Sequence, residues 1–183
     1  MDKVYVFLAD GFEEIEGLTV VDILRRGKVE TVTVSITGSL TIHGSHGIDV
    51  LADVLFDETA LEDGTIFVLP GGMPGTKYLG AHQGLTKLLK SAKAQGKRIA
   101  AICAAPSVLG DLGLLAGERA TCHPGFEERL AGAEVVFDEV VESGQIITSR
   151  GMGTAIPFAL ALLAICKGQE AADEVAKALV FRQ

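Results

Sequence analysis

Two rhythms of apolar residues alternate along this chain. Short continuous apolar runs give way to stretches in which apolar residues recur every three or four positions, and then return. KVYVFLA (3–9) reads as a buried strand and residues 13–26 as a helix. VETVTVSI (29–36) is a second strand, and LTIHGSHGIDVLAD (40–53) a glycine-turned hairpin. TIFVLPGG (65–72) is a strand running into a glycine-rich loop, with no helix expected to open directly at it. Residues 82–95 form a helix closed by Gly96, KRIAAIC (97–103) another buried strand, and 105–112 a short helix. After ERATCHPG come a hairpin at 135–149 and helices at 154–167 and 170–180. Fully apolar strands separated by helices predict an α/β fold, with a mostly parallel sheet covered on both faces. No linker, repeat or low-complexity stretch interrupts the pattern, so residues 1–183 are expected to form a single domain.

That architecture says where chemistry belongs. In open parallel sheets, sites form beyond the carboxyl ends of the strands. Four such ends are present here: 10–16, 70–75, 103–106 and 149–153.

The first carries three glutamates in DGFEEIE. Residues three, four and seven apart share a helix face. Glu16 therefore joins Phe12, Val20, Ile23 and Leu24 in the apolar stripe, Glu13 stands at its border, and Glu14 points toward solvent with Arg25. All three would also suit the positive end of a helix dipole. A carboxyl buried without a cationic partner has a raised pKa and stays protonated, which makes it a hydrogen-bond donor suited to an anion such as a thiolate.

KRIAAICAAPSVLG (97–110) offers the anion. Cys103 sits at a strand-to-helix turn, the setting of a nucleophile elbow with a thiol in place of a hydroxyl. The helix start is expected to lower the thiol pKa, and a protonated neighbour to lower it further. An inert buried thiol is the alternative. It is the expectation for Cys166 in an apolar helix and the first reading of Cys122. LPGGMPG (69–75) is compatible with a plain tight turn, or with Gly71 and Gly72 amides approaching a substrate oxygen. His123 in TCHPG is a loop residue or a general base. His43 and His46 read as hairpin surface residues and His82 as a helix start.

Composition narrows the function classes. A formal charge of −8 opposes a basic nucleic-acid footprint and attachment to anionic membranes. The longest apolar run, 155–166, is too short to span a bilayer, and the first apolar run too short for a secretory signal. Three cysteines without C-x-x-C spacing suggest neither a disulfide framework nor zinc, and no metal-ligand spacing links the four histidines. A reducing, cytoplasmic setting is expected.

The motifs form a recognisable series: DGFEEIE, LPGG at 69–72, AICAAP at 101–106, TCHP at 121–124 and TSRGMGT at 148–154. Across nearly its whole length the chain resembles the ThiJ/PfpI superfamily, in the branch of the parkinsonism-associated protein and its bacterial oxidative-stress relatives. The resemblance implies a flavodoxin-like three-layer α/β/α sandwich that forms a homodimer. It implies Cys103 as an oxidation-prone nucleophile, Glu16 as its acid/base partner and His123 as a nearby catalytic histidine. It also implies an oxyanion- or substrate-binding region of Gly71, Gly72, Ala104, Glu13 and Arg150. The activity implied is conversion of small α-oxoaldehydes to hydroxy acids, or removal of early glyoxal adducts, without cofactor or metal. A redox-sensing chaperone is the alternative. A peptidase is the weaker one, because its branch places histidine directly after the cysteine and Ala104 stands there.

Overall fold

Alternation inside the first strand sets up the two cores. β1 (Lys3–Leu8) turns Val4, Val6 and Leu8 to one face and Tyr5 and Phe7 to the other, and all five are buried. A strand covered on both faces has no polar side to show. This computed structural model describes residues 2–182.

The elements follow the two sequence rhythms. α1 (Glu14–Arg26) leads to β2 (Glu30–Ser35), then the hairpin of β3 (Thr41–His43) and β4 (Asp49–Leu51), and a short β5 (Val54–Leu55). β6 (Ile66–Leu69), α2 (Gly75–Ala81), α3 (Gln83–Ala94), β7 (Arg98–Ile102) and α4 (Pro106–Asp111) come next. The last third holds β8 (Arg119–Ala120), β9 (Glu134–Val135), β10 (Val140–Ser143), β11 (Ile146–Ser149), α5 (Ala155–Lys167) and α6 (Gln169–Ala178).

The main sheet has the order β10-β11-β7-β6-β1-β2-β5, parallel throughout except for edge strand β10, which is antiparallel to β11. α1, α5 and α6 cover one face, where Val20, Leu24, Phe158 and Leu162 pack on Val4, Val6 and Leu8. α3 and α4 cover the other, where Leu85, Leu89 and Val108 pack with Phe7 and Phe67. Each large apolar side chain buried in this way contributes about 1.5–3 kcal/mol. This is the expected flavodoxin-like sandwich.

Two expectations need correction. A helix does open at the glycine-rich loop: α2 begins at Gly75, only three residues beyond Gly72. The expected 135–149 hairpin is confined to β10 and β11, while β9 turns aside to pair with β8.

The strand order determines where a site can form. β2 lies on one side of β1 and β6 on the other, so the chain reverses its direction of travel across the sheet between β1 and β6. Crevices open at the carboxyl ends of strands where such a reversal occurs. Glu16 follows β1, Gly71 follows β6, and Cys103 follows the next strand, β7.

Candidate functional site: a cysteine and a buried carboxyl

Backbone docking brings the first two loops together. The Glu13 N–H donates to the Gly71 carbonyl at 2.9 Å, and the Gly75 N–H to that of Gly11 at 3.2 Å. Gly72 has φ +91°, and a Cβ there would lie 2.3 Å from the Glu13 nitrogen. Only glycine permits both the conformation and the approach.

Cys103 has φ +65°, in the left-handed region that non-glycine residues avoid. The surroundings hold it there. Its N–H donates to the Ser149 carbonyl at 3.0 Å, and its carbonyl accepts from the His123 N–H at 2.8 Å. Strain of this kind costs on the order of 1–3 kcal/mol and is typical of a nucleophile elbow. Cys103 is partly exposed, whereas Cys122 is buried and Cys166 half-buried in α5. Burial pushes the thiols of Cys122 and Cys166 up to about 11.

Glu16 is 1% exposed, on the stripe with Phe12, Val20, Ile23 and Leu24 as expected. Its Oε2 accepts the Gly71 N–H at 2.9 Å, and a Cβ built on Gly71 would lie 2.6 Å from both this oxygen and the Cys103 Cβ, so the carboxyl faces the thiol across that glycine. Burial pushes its pKa up to about 7; the hydrogen bonds from Cys103 and Gly71 act against this, and the charge of Glu13 adds to it. The carboxyl is therefore protonated far above the usual carboxylate range.

The thiol differs from the sequence expectation. α4 starts at Pro106 and runs for six residues, so the sulfur is not seated on a long helix N-terminus. It receives instead the amides of Ala104 and Gly72, which favour the thiolate. Burial, the charge of an ionised Glu16 and the hydrogen bond to it outweigh them and push Cys103 up to about 12. The burial part of that rise holds in either state of Glu16; the part due to its charge holds only beside a carboxylate. When Glu16 carries the proton, its charge is gone and the same carboxyl becomes a donor to sulfur. The two groups titrate as a pair sharing one proton. Burial is the largest cause of the rise in both groups, so a single proton shared between them decides which one is charged.

The remaining expected residues fall as follows. Gly71 spends its amide on Glu16, leaving Gly72 and Ala104 as the amides at the sulfur. A Cβ on Gly151 would lie 3.5 Å from the His123 ring and 3.9 Å from Glu16 Oε1, so this glycine separates the two side chains. The exposed His123 ring uses Nδ1 toward the Pro124 carbonyl at 3.0 Å, and as a donor there it leaves Nε2 as acceptor. Glu13 lies at the border of the helix stripe, largely buried. The Arg150 guanidinium rests over the Phe137 ring, 5.6 Å from its centre, and its Nε is buried without a hydrogen-bond partner.

Two features escaped the sequence reading. The Thr154 hydroxyl accepts from the Gly151 N–H (3.1 Å) and the Arg150 N–H (3.2 Å) and contacts the Ser149 hydroxyl (2.7 Å), fixing the loop behind Cys103. Its position in TSRGMGT was the available signal. Glu14, expected in solvent, is 3% exposed. The hairpin turn folds over it, and the His46 N–H donates to Glu14 Oε1 at 2.7 Å. Burial alone would raise Glu14, but hydrogen bonds from the His46 ring, the His46 amide and Ser45 outweigh it and bring the pKa to about 2.

A strained cysteine, a buried acid and two amides converge at the switch point of a parallel sheet. The model of the DJ-1/PfpI family matches residues 2–165. The chain belongs to the DJ-1/PfpI family. This DJ-1/PfpI chain is 37% identical over 182 residues to Protein DJ-1 homolog B of Arabidopsis thaliana, covering 98% of the chain and 42% of that relative. It thus spans less than half the length of that protein. It is 36% identical to Protein dj-1beta of Drosophila melanogaster, covering 96% of the chain and 95% of the relative. Glutathione-independent glyoxalase DJR-1.2 of Caenorhabditis elegans is 35% identical, covering 91% of the chain and 89% of the relative. The solved structure of oxidized Toxoplasma gondii DJ-1 superimposes with a TM-score of 0.94 at 38% identity, covering all of both chains.

Proposed function

We propose that this chain is a cysteine-dependent enzyme of small α-oxoaldehydes, converting methylglyoxal or glyoxal to hydroxy acids without glutathione, a metal or an organic cofactor. The observation that carries the reading is the buried Glu16 carboxyl facing the strained Cys103 across Gly71, with Glu16 raised to about 7 and the Gly72 and Ala104 amides favouring the thiolate. The name of the Caenorhabditis elegans relative supports it.

The steps use these groups in turn. The proton of the pair rests on Glu16, and the Cys103 thiolate adds to the aldehyde carbon, forming the C–S bond. The carbonyl electron pair moves to oxygen, which takes the Glu16 proton to give a hemithioacetal. The Glu16 carboxylate then removes the proton on that carbon, leaving an enediolate, and returns it to the neighbouring carbon, while the hydroxyl proton of the first carbon passes to the neighbouring oxygen. The product is a thioester of the hydroxy acid. Water cleaves it, His123 Nε2 taking the water proton, and the Glu16–Cys103 pair recovers its single proton. A group titrating near 7 suits both giving and taking a proton. Early glyoxal adducts on amines or thiols would enter at the same first step.

Cys103→Ala is expected to abolish hydroxy-acid formation from methylglyoxal. Equal turnover by both proteins would rule the mechanism out. A redox-sensing chaperone is the second reading, favoured by the oxidized state of the Toxoplasma gondii structure. It predicts oxygen added to Cys103 by limited peroxide, and suppression of client aggregation without aldehyde turnover.

The site needs no nucleic acid or membrane partner, and among the described residues no helix is long and apolar enough to cross a membrane. A second copy of the chain is the partner proposed. A groove of about 450 Å³ lies along the outer side of α1 between Ile15, Leu18, Ile48, Ile156 and Leu179, and Cys103 does not line it. A cytoplasmic location fits a thiol that must stay reduced to react.

A further inference from the structure

We infer that Thr154 is a positioning residue of this site: its hydroxyl clamps the loop after β11, so that Cys103 stays in its strained conformation and Gly151 stays between Glu16 and His123. The inference deepens the proposed function, since it rests on Cys103 being the reactive group.

The first observation is a bond that Thr154 does not make. It stands at the N-cap of α5, where a threonine oxygen ordinarily accepts an N–H from the second or third residue of the helix. No such bond is present. The third residue is Pro157, which has no N–H to give. The oxygen turns instead to the loop before the helix, accepting the Gly151 N–H at 3.1 Å and the Arg150 N–H at 3.2 Å. The hydroxyl therefore serves the loop and not its own helix.

The hydroxyl proton has a direction. Ser149 Oγ lies 2.6 Å from the Glu139 carbonyl, which can only accept, so Ser149 donates there. In its 2.7 Å contact with Thr154, Ser149 is then the acceptor and Thr154 the donor. The other acceptor within reach of Thr154, the Gly151 carbonyl at 2.9 Å, already receives the Thr154 N–H at 2.8 Å. A relay of hydrogen bonds thus runs from the Arg150 and Gly151 amides through Thr154 and Ser149 to the Glu139 carbonyl, just before β10. Ser149 is fully buried, and aligned hydrogen bonds in such a setting reinforce one another.

Two contacts at the site hang on this relay. The Ser149 carbonyl accepts the Cys103 N–H at 3.0 Å, one of the bonds that hold Cys103 at φ +65°. Gly151 is the residue whose added Cβ would lie 3.5 Å from the His123 ring and 3.9 Å from Glu16 Oε1. Without the Thr154 hydroxyl, two amides and the Ser149 hydroxyl lose a partner. The loop is then free to shift, and Cys103 to relax toward an ordinary conformation. Its sulfur would leave the Gly72 and Ala104 amides, which favour the thiolate, and the proton of Glu16. Thr154 touches no reacting atom and acts only through these neighbours.

The test follows alkylation of Cys103 by iodoacetamide across pH, read at that residue by peptide mass spectrometry, so that Cys122 and Cys166 do not contribute. Thr154→Val keeps the side-chain shape and removes the hydroxyl. Its thiol profile is expected to move up by about one pH unit, which makes alkylation roughly tenfold slower at neutral pH. Thr154→Ser is expected to restore the natural profile. Ser149→Ala cuts the relay one step further along and should displace the profile in the same direction, which keeps the test open if Thr154→Val does not fold. A role in stability alone would lower the thermal midpoint and leave the profile in place. Profiles for Thr154→Val and Ser149→Ala that superimpose on that of a reactive natural Cys103, or a Thr154→Ser profile displaced as far as that of Thr154→Val, would overturn this inference alone. A natural Cys103 no more reactive than a free thiol would overturn the proposed function, and this inference with it.

Discussion

The Gly71 amide donates to Glu16 Oε2 at 2.9 Å, and a Cβ on Gly71 would stand 2.6 Å from that same oxygen and 2.6 Å from the Cys103 Cβ. One glycine thus sets the separation of acid and thiol. Gly71→Ala should force them apart while leaving the rest of the sheet in place. Misplacement of reacting groups by about 1 Å can cost roughly 100-fold, and a loss of that order in hydroxy-acid formation is expected in steady-state assays. Unchanged turnover would mean that the contact does not matter to catalysis.

Glu16 also ties stability to pH. Its folded pKa of about 7 lies above the ordinary 4.5, so the folded state holds the proton more tightly than the unfolded chain does. The associated stability is fully present below the ordinary value and is lost as pH rises through about 7. Linkage allows a loss on the order of 3 kcal/mol at most, and sharing of the proton with Cys103 will reduce it. Denaturant unfolding between acid and mildly alkaline pH should show this decline in the natural protein and a flatter profile in Glu16→Gln. Parallel profiles would show that Glu16 is not held protonated.

Much of this geometry could be read before the fold was seen. Apolar runs gave the buried strands, and the helix phase put Glu16 beside Val20 and Leu24 because both patterns are local. The elbow at Cys103 followed from a strand meeting Pro106. What could not be read came from distant segments. The β3–β4 turn buries Glu14, which the helix phase had turned toward solvent. Gly71 and Gly72 look alike in sequence, yet one amide serves the carboxyl and the other the sulfur. The thiol's environment depends on who holds a shared proton, which no pattern of residue types reveals.

The outer side of α1 carries the proposed contact with a second copy. Ile15 is 51% exposed and Ile48 54% exposed, more than isolated apolar residues require. Light scattering should give twice the chain mass for the natural protein. Ile15→Asp combined with Ile48→Asp should give a folded monomer, since charge at the centre of an apolar contact is costly. A natural protein that runs as a monomer would exclude the contact.

At the centre of this chemistry, Glu16 keeps its proton and directs it at the sulfur, holding Cys103 as a thiolate. Titrating the thiolate by ultraviolet absorbance tests this most directly, in the natural protein and in Glu16→Gln. Cys122 and Cys166, pushed up to about 11, should absorb only at higher pH. The predicted result is an apparent pKa clearly below the free-thiol value of about 8.5, moving upward in Glu16→Gln. A natural protein whose Cys103 titrates at or above that value, as burial beside an ionised carboxylate would dictate, would contradict it.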